Sequence, residues 1–329
     1  MTSRPAPSSS RHELSVLAPY RLDLTVSALR RLPTNVVDVL TTDGHYVRAF
    51  GGVHGPVIAR VVQTGPEALA VTIEGEAGDR LRTLALVRRM LGADRDVTQF
   101  DRAAARVPWL RRLARRMRGV KPPRYPSLWE AFVNTIAFQQ VSLHAASAIA
   151  RRLIVGFGPS LEREGVPVYV FPSVGQVLGA EDDVLRAAGF SARKVATLRR
   201  AGEALASGRL DEAMLEERSS ADAATLLRQI KGIGAWTATV ILLRGLGRLD
   251  VFPMNDTSVA RNLALAGGPV PADVADIVEA LRPQQGMLYY HLLLARLEAR
   301  GELGRASIPD GISRTEGASP SGHVSTTHH

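Results

Sequence analysis

The chain has 329 residues, of which 45% are hydrophobic, so it can form two or three domains with cores of their own. It contains no cysteine, which excludes disulfides, thiolate zinc sites, cysteine nucleophiles and cysteine-ligated iron–sulfur clusters. Lysine and arginine outnumber aspartate and glutamate by 41 to 32, and the resulting net charge of +9 favours a polyanionic partner, either nucleic acid or an acidic membrane surface.

The sequence predicts disorder at both ends of the chain. Residues 1–12 are rich in serine, proline and arginine, and residues 305–329 have a similar polar composition. No apolar stretch has the length of a signal-peptide core or of a membrane span. We therefore expect a soluble cytoplasmic protein without a membrane partner.

Residues 13–100 predict a small antiparallel α/β domain. Period-two alternation rich in valine, threonine and isoleucine indicates strands at YRLDLTV, NVVDVLTT, HYVRAF, VIARVVQ and ALAVTIEG. An Asp-Gly pair in TTDGHY predicts a hairpin turn. The amphipathic segment DRLRTLALVRRMLG, which ends at Gly92, predicts a helix that backs the sheet.

Residues 101–304 predict an all-α region. Its segments have helical periodicity, most end in glycine, and several begin at serine, aspartate, threonine or proline, as helix ends favour. The predicted fold class is therefore α+β, with a small antiparallel sheet and helix followed by a helical core.

The segment LLRQIKGIGAWTATVILLRGLG, residues 226–247, predicts two helices joined by a glycine turn. Gly232 and Gly234 permit a tight reversal and leave the first amides of the second helix bare, which forms an anion site suited to a DNA phosphate. Thr237 is placed to add a hydroxyl. A bare G-x-G more often marks a plain turn between packed helices, but the longer pattern in a basic chain favours phosphate binding.

This segment resembles the helix-hairpin-helix (HhH-GPD) DNA glycosylases, most closely the DNA-3-methyladenine glycosylase II branch. The residues that carry the resemblance are IKGIGAWTA, LRG and DVFPMNDTSVAR, and the similarity covers about residues 14–300. The resemblance implies an antiparallel N-terminal domain, helical glycosylase domains with the hairpin at 226–247, and double-stranded DNA with damaged bases as partner. We expect a monomer associated with the nucleoid.

Asp256 is the predicted catalytic acid. Departure of a base builds positive charge on the deoxyribose, and a nearby carboxylate stabilises that charge and can orient water. The resemblance places Asp256 at the family's catalytic position, ahead of the neighbouring candidates Asn255 and Asp250. The competing interpretation is that Asp256 is an ordinary N-cap, a role in which aspartate is common.

The family's bifunctional members carry a lysine that forms a Schiff base, and here Trp236 stands at that position. Tryptophan cannot form an imine, so we expect a monofunctional enzyme. Lys231, within the turn, is expected to contact phosphate, as are the backbones of Gly232, Ile233 and Gly234.

The segment IAFQQVSLHAA is expected to fill the gap left by a rotated base. The resemblance places the wedge at Gln140, next to Gln139, where relatives carry leucine. The alternative is that both glutamines are simply exposed on a helix.

The rotated base is expected to stack on Trp236, which would attract a cationic alkylated base. Other residues suited to the same pocket are Tyr125, Trp129, Phe138, Tyr289 and Tyr290. Leu293 stands where the resemblance implies a second pocket tryptophan, so the range of accepted bases is open.

Two further features extend the expected DNA site. The basic run RRLARRMRGVKPPR, residues 111–124, could follow phosphates, although such runs are usually solvated faces. The resemblance also implies a structural Na⁺ or K⁺ held by the carbonyls of Arg228, Ile230 and Gly232. No cofactor is required, and the histidines show no metal-ligand spacing.

The sequence therefore predicts a monofunctional DNA glycosylase that excises alkylated purines of the 3-methyladenine type and leaves an abasic site. Two alternatives stay open: a glycosylase for deaminated or oxidised bases, and a helix-hairpin-helix DNA-binding protein without catalysis.

Overall fold

The computed structural model describes residues 9–163, 165–254, 256–268 and 274–304. Within these ranges an N-terminal antiparallel sheet precedes a larger helical region, which confirms the α+β fold class. The strands are β1 (Ser9–Ser15), β2 (Val39–Leu40), β3 (Tyr46–Gly51), β4 (Pro56–Gly65), β5 (Ala68–Glu74), β6 (Ser160–Arg163) and β7 (Val166–Tyr169).

The helices begin in the N-terminal domain and then follow one another through the rest of the chain. They are α1 (Leu22–Arg30), α2 (Ala77–Met90), α3 (Thr98–Ala104), α4 (Pro108–Arg116), α5 (Leu128–Ala137), α6 (Leu143–Phe157), α7 (Val174–Leu178), α8 (Asp182–Ala187), α9 (Ala192–Ala206), α10 (Glu212–Glu216), α11 (Ser220–Arg228), α12 (Ala235–Gly245), α13 (Thr257–Leu265), α14 (Val274–Ala280) and α15 (Gly286–Ala299).

The sheet has the strand order β1-β5-β4-β3-β2, and every pairing is antiparallel. Strand β1 pairs with β5 along its whole length, so the predicted disorder of residues 9–12 is wrong. Residues 1–8 lie outside the described residues. Only Leu14 in β1 is buried. Backbone pairing along β5 holds this strand, and an apolar pattern could not reveal it.

The predicted first strand, YRLDLTV, is instead the beginning of helix α1. Every residue of α1 is buried, including its polar ones, so the helix lacks the apolar stripe that marks an amphipathic helix. The buried polar groups have partners: Asp23 accepts a hydrogen bond from Arg21 Nε at 2.8 Å, and Thr25 Oγ1 accepts one from Lys121 N at 3.1 Å.

A buried charge cluster joins the sheet to α5. Arg48 on β3 is 1% exposed and contacts Asp38 Oδ1 at 2.5 Å and Glu130 Oε2 at 2.6 Å. Burial raises the pKa of Glu130 to about 7, against the opposing effect of Arg48. Because Glu130 lies in the first turn of α5, the cluster fixes the helix whose far end carries Gln139 and Gln140.

The sequence predicts an all-α region over residues 101–304, but the structure adds two strands there. Strands β6 and β7 form a hairpin between α6 and α7, and Val170 beyond it bridges to Ala49 of the main sheet. In the helical hairpin, α12 packs on α11 and also on α5, while α13 packs on α15. In the described part of the chain, no helix is long and apolar enough to cross a membrane. The predicted tail, residues 305–329, lies outside the described residues.

Candidate active site

The two glycines of the hairpin turn have different structural roles. Gly232 has φ +105°, and a Cβ atom there would lie 2.1 Å from Thr197 Oγ1. Gly234 has φ −89° and ψ −178°, which is extended backbone open to any residue, and a Cβ there would meet nothing within 4 Å. Only Gly232 therefore requires the glycine conformation that the sequence assigned to both.

The N-terminus of α12 faces solvent. Gly234 is its N-cap and provides no side chain, and Lys231, Gly232 and Gly234 are all exposed. The first amides of a helix have no partner within the helix and attract anions. Phosphate binding at this helix end remains a prediction.

Two residues predicted at this anion site point elsewhere. Thr237 is buried, and its Oγ1 accepts a hydrogen bond from Gln139 Nε2 at 3.0 Å. Ile233 is 4% exposed and packs in the core, while its amide donates to the carbonyl of Ile230. Thr237 thus stabilises the hairpin through a buried hydrogen bond, and Ile233 stabilises the turn by packing in the core.

The turn between α5 and α6 lies against the hairpin. The Nε2 group of Gln139 donates to Gly232 O and to Thr237 Oγ1, both at 3.0 Å. Gln140 is exposed and has φ +55°, in the left-handed region that costs a non-glycine residue energy. Gln139 therefore fixes the turn, and Gln140 is presented at its tip.

Asp256 and Trp236 form one hydrogen-bonded unit. Asp256 is the N-cap of α13, where its Oδ1 accepts from Ser258 N at 2.8 Å. Its Oδ2 accepts from Trp236 Nε1 at 3.0 Å. The N-cap role and the predicted functional role therefore use different oxygens of one carboxylate. Of the two competing candidates, Asp250 is exposed and Asn255 lies outside the described residues.

Arg296 on α15 is a charged neighbour that the sequence analysis missed. It is 7% exposed, and burial together with Arg300 lowers its pKa, whereas Asp256 raises it. Only the spatial packing of α15 on α13 brings it near Asp256, so its position in the sequence gave no signal.

The predicted pocket aromatics fall into two groups. Tyr125 and Tyr290 are buried around the guanidinium of Arg244, at 5.0 and 5.9 Å from their ring centroids. The hydroxyl of Tyr290 donates to Pro123 O at 3.0 Å. Tyr290 is fully buried and therefore belongs to the core rather than to a surface that a base can reach.

Phe138 and Tyr289, by contrast, are half-buried and meet at one side chain. The guanidinium of Arg31 lies 3.8 Å from the ring centroid of Phe138, and its Nη2 donates to Tyr289 Oη at 3.3 Å. Trp129 is buried and donates to Pro172 O. Leu293 is 7% exposed and packs among buried apolar residues of α4, α13 and α15. Phe138 and Tyr289 thus share Arg31 as a partner, whereas Trp236 is bonded to Asp256.

The basic run 111–124 is only partly available to phosphates. Its helical part exposes Arg111, Arg112 and Arg115 and buries Leu113 between them. Lys121, however, is 1% exposed, and Arg124 contacts Glu212 Oε1 at 2.5 Å. Those two residues are structural.

Two of the three carbonyls predicted to hold a monovalent cation already accept one hydrogen bond. Ile230 O accepts from Ile233 N at 2.9 Å, and Gly232 O accepts from Gln139. A carbonyl oxygen has two lone pairs, so each can still ligate an ion. In the ranges that the structure covers, no three potential side-chain ligands cluster together.

Residues 133–281, which include the α5–α6 turn, the hairpin and Asp256, match the family described as HhH-GPD superfamily base excision DNA repair protein. This helical region belongs to the HhH-GPD superfamily. The match agrees with the resemblance drawn from IKGIGAWTA and DVFPMNDTSVAR.

Individual relatives agree with the family match. It is 28% identical over 172 residues to "DNA-3-methyladenine glycosylase" of Bacillus subtilis, covering 52% of this chain and 57% of that protein. It is 29% identical over 254 residues to "Probable bifunctional transcriptional activator/DNA repair enzyme AlkA" of Mycobacterium tuberculosis, covering 76% of this chain and 50% of that protein. The chain thus spans about half the length of these curated relatives.

A solved structure is similar along nearly its whole length. The 3-methyladenine DNA-glycosylase from Archaeoglobus fulgidus is 25% identical, with a TM-score of 0.72, over 88% of this chain and 99% of that one. The N-terminal sheet is therefore part of the shared fold, beyond residues 133–281 that the family model matches.

Proposed function

We propose that the protein is a monofunctional DNA glycosylase of base excision repair, which hydrolyses the N-glycosidic bond of alkylated purines of the 3-methyladenine type and leaves an abasic site. The observation that carries the proposal is the carboxylate of Asp256, hydrogen-bonded at 3.0 Å to Trp236 at the start of the hairpin's second helix. The relatives named for 3-methyladenine supply the substrate class.

The hairpin is the proposed contact to double-stranded DNA. The bare amides of α12 would bind a backbone phosphate, with the exposed Lys231 beside them. Gln139 couples this contact to the neighbouring turn through Gly232 O, so phosphate binding would set the position of Gln140 at its tip. Gln140 would then fill the gap that a rotated base leaves.

Asp256 would act on the sugar. As the bond to the base lengthens, positive charge develops at C1′, and a fixed carboxylate close to it lowers the energy of that state. One hydrogen bond to each oxygen fixes the carboxylate plane, and the remaining lone pairs can hold and orient the attacking water. No lysine stands at position 236, so no imine would form.

Trp236 would have two functions in one side chain. Its indole N–H holds Asp256, and its half-buried ring offers a face on which the base can stack. An alkylated purine with a formal positive charge gains cation–π attraction there. The base and the acid would be aligned by the same residue.

No cofactor enters this chemistry. The carbonyls of Arg228, Ile230 and Gly232 are the proposed ligands of a structural monovalent cation, which would hold the turn in its phosphate-binding shape. Lone pairs left free at Ile230 O and Gly232 O support that assignment.

The test is to incubate the protein with a methylated DNA duplex and to follow free base, abasic sites and strand breaks. The proposal predicts released base and abasic sites in intact strands, with no covalent adduct trapped by borohydride. Binding should weaken steeply as salt is raised, because phosphate contacts release counterions. Binding without release of any methylated base would overturn the proposal and leave the two alternatives, a glycosylase for another damaged base or a non-catalytic DNA-binding protein.

A further inference from the structure

Helix α1 ends in a strained turn at Arg31. This residue has φ +64° and ψ −63°, and Leu32 N donates to Arg30 O at 2.8 Å across it. That combination is the γ-turn that proteins use rarely because it is strained. Arginine has no intrinsic preference for this conformation, so the surrounding structure must impose it.

Two side chains hold the turn in place. Arg244 is fully buried and donates from Nη1 and Nη2 to Ala28 O at 3.0 Å, and from Nη2 to Leu29 O at 2.8 Å. Asn35 Nδ2 donates to Arg30 O at 3.1 Å. The last carbonyls of α1 are thus fixed from both sides, and Arg31 is aimed by a rigid frame.

The guanidinium of Arg31 is buried but incompletely paired. The residue is 4% exposed, stacks on Phe138 and donates to Tyr289. Its Nη1 group is buried without a hydrogen-bond partner, and no carboxylate pairs with Arg31 among the described residues. A buried donor left without a partner is costly, which points to a ligand that completes it.

Arg31 lines a small cleft together with Tyr125 and Phe138, both predicted to contact the base. Along the described lining the charged residues are Arg30, Arg31 and Arg151, with no carboxylate among them. The cleft therefore favours a ligand that offers hydrogen-bond acceptors.

Contacts connect this cleft to Asp256 on two sides. On one side Phe138 is followed by Gln139, which bonds to Thr237, the neighbour of Trp236. On the other side Tyr289 lies on α15, which packs against α13, the helix that Asp256 caps. Two separate routes of contacts and neighbouring residues therefore link Arg31 to Asp256.

We propose that Arg31 is a specificity-determining residue, whose Nη1–H hydrogen-bonds the exocyclic carbonyl of a rotated 6-oxo purine and so favours alkylated guanines over alkylated adenines. Guanine carries an acceptor, O6, where adenine carries an amino donor, N6. An arginine can donate to the first but meets a second donor in the other. This inference rests on the proposed function, since the base must be rotated into the site.

Methylated DNA tests the proposal in one reaction, because it contains both 7-methylguanine and 3-methyladenine. The measured quantity is the ratio of the two free bases released, which does not depend on how much of a variant is folded. The test variant is Arg31→Gly, since glycine accepts φ +64° without strain and removes the guanidinium together with its methylene chain. Arg82→Gln, which changes an exposed arginine on α2, is the matched charge control.

The expected result is that Arg31→Gly lowers the ratio of 7-methylguanine to 3-methyladenine roughly tenfold or more, as loss of a charged hydrogen bond predicts, while Arg82→Gln keeps the wild-type ratio. An unchanged ratio in Arg31→Gly would overturn the proposal, even if both rates fell together, because Arg31 would then be only structural. Absence of any release by the wild type would refute the proposed function instead.

Discussion

Trp236 Nε1 lies 3.0 Å from Asp256 Oδ2, so the aromatic ring at the start of α12 and the acid at the start of α13 are fixed to each other. A tryptophan that served only as a stacking surface would not need this bond. An aspartate that served only as an N-cap would need only the bond from Oδ1 to Ser258 N. The second bond distinguishes this site from an ordinary helix cap.

Replacing Trp236 by phenylalanine keeps a ring and removes the N–H donor. We expect base release to slow roughly tenfold, because a hydrogen bond to a charged group is worth about 1.5–3 kcal/mol. Single-turnover rates would measure this, with DNA affinity retained. Trp129→Phe, which removes the bond to Pro172 O in the core, is the matched control. Equal slowing in both variants would assign the loss to stability rather than to the acid.

Replacing each of the two hairpin glycines by alanine should have different effects on stability. Gly232→Ala would place a methyl group 2.1 Å from Thr197 Oγ1 at φ +105° and should lower the free energy of unfolding by about 1–3 kcal/mol. Gly234→Ala meets no atom within 4 Å and should stay within about 0.5 kcal/mol of the wild type.

The same pair also tests phosphate binding. The methyl group of Gly234→Ala would stand beside the bare amides of α12 and should weaken DNA binding in a protein of normal stability. Urea unfolding and a DNA titration at fixed salt would separate the two effects. Unchanged DNA affinity in Gly234→Ala would argue against a phosphate at this helix end.

Gln140→Gly tests the wedge without straining the turn. Glycine adopts φ +55° freely, so the free energy of unfolding should stay constant or rise by up to about 1 kcal/mol. Release from a duplex should fall by about tenfold or more, whereas release from single-stranded DNA should change little, since no stacked partner must be displaced. A similar loss on both substrates would assign Gln140 a role other than filling the gap.

His291 predicts a pH dependence of stability. It is 1% exposed, stacks on Phe100 at 4.5 Å, and burial lowers its pKa from 6.5 to about 4, although its bond to Met287 O opposes the shift. Because the unfolded chain takes up the proton first, the stabilisation is present above pH 6.5 and is lost as the pH falls from 6.5 to 4. The loss contributed by this group is roughly 3 kcal/mol.

Urea unfolding at pH 7 and pH 4.5 would measure this effect in the wild type and in His291→Gln. The variant should be less stable at pH 7 but should lose less stability on acidification. An equal loss in both proteins would show that other groups govern the acid response.

The hairpin and the acid that follows it could be predicted from the sequence because their information is local. The spacing from Gly232 to Asp256 and the helix punctuation around it lie within one short segment, whereas the hydrogen bond between Trp236 and Asp256 was not predicted. The predicted roles of both residues in catalysis remain predictions.

What the sequence missed depends on tertiary contacts. Helix α1 is buried on all sides, so it lacks an amphipathic stripe, and its alternating pattern predicted a strand. That error concealed the turn at Arg31, because a strand over residues 20–26 predicts no helix that ends at this position. Thr237 looked available to phosphate until the fold placed Gln139 beside it. These outcomes depend on which elements pack together, and local patterns do not encode that.

The most direct test of the account is the rate of base release from methylated DNA by Asp256→Asn. Asparagine is also a good N-cap and has the same shape, so the fold and DNA binding should be retained. We expect release to fall by roughly a hundredfold or more, while Asp250→Asn, at the exposed competing carboxylate, keeps the wild-type rate. Release by Asp256→Asn at the wild-type rate would show that Asp256 only caps α13, and would contradict the account.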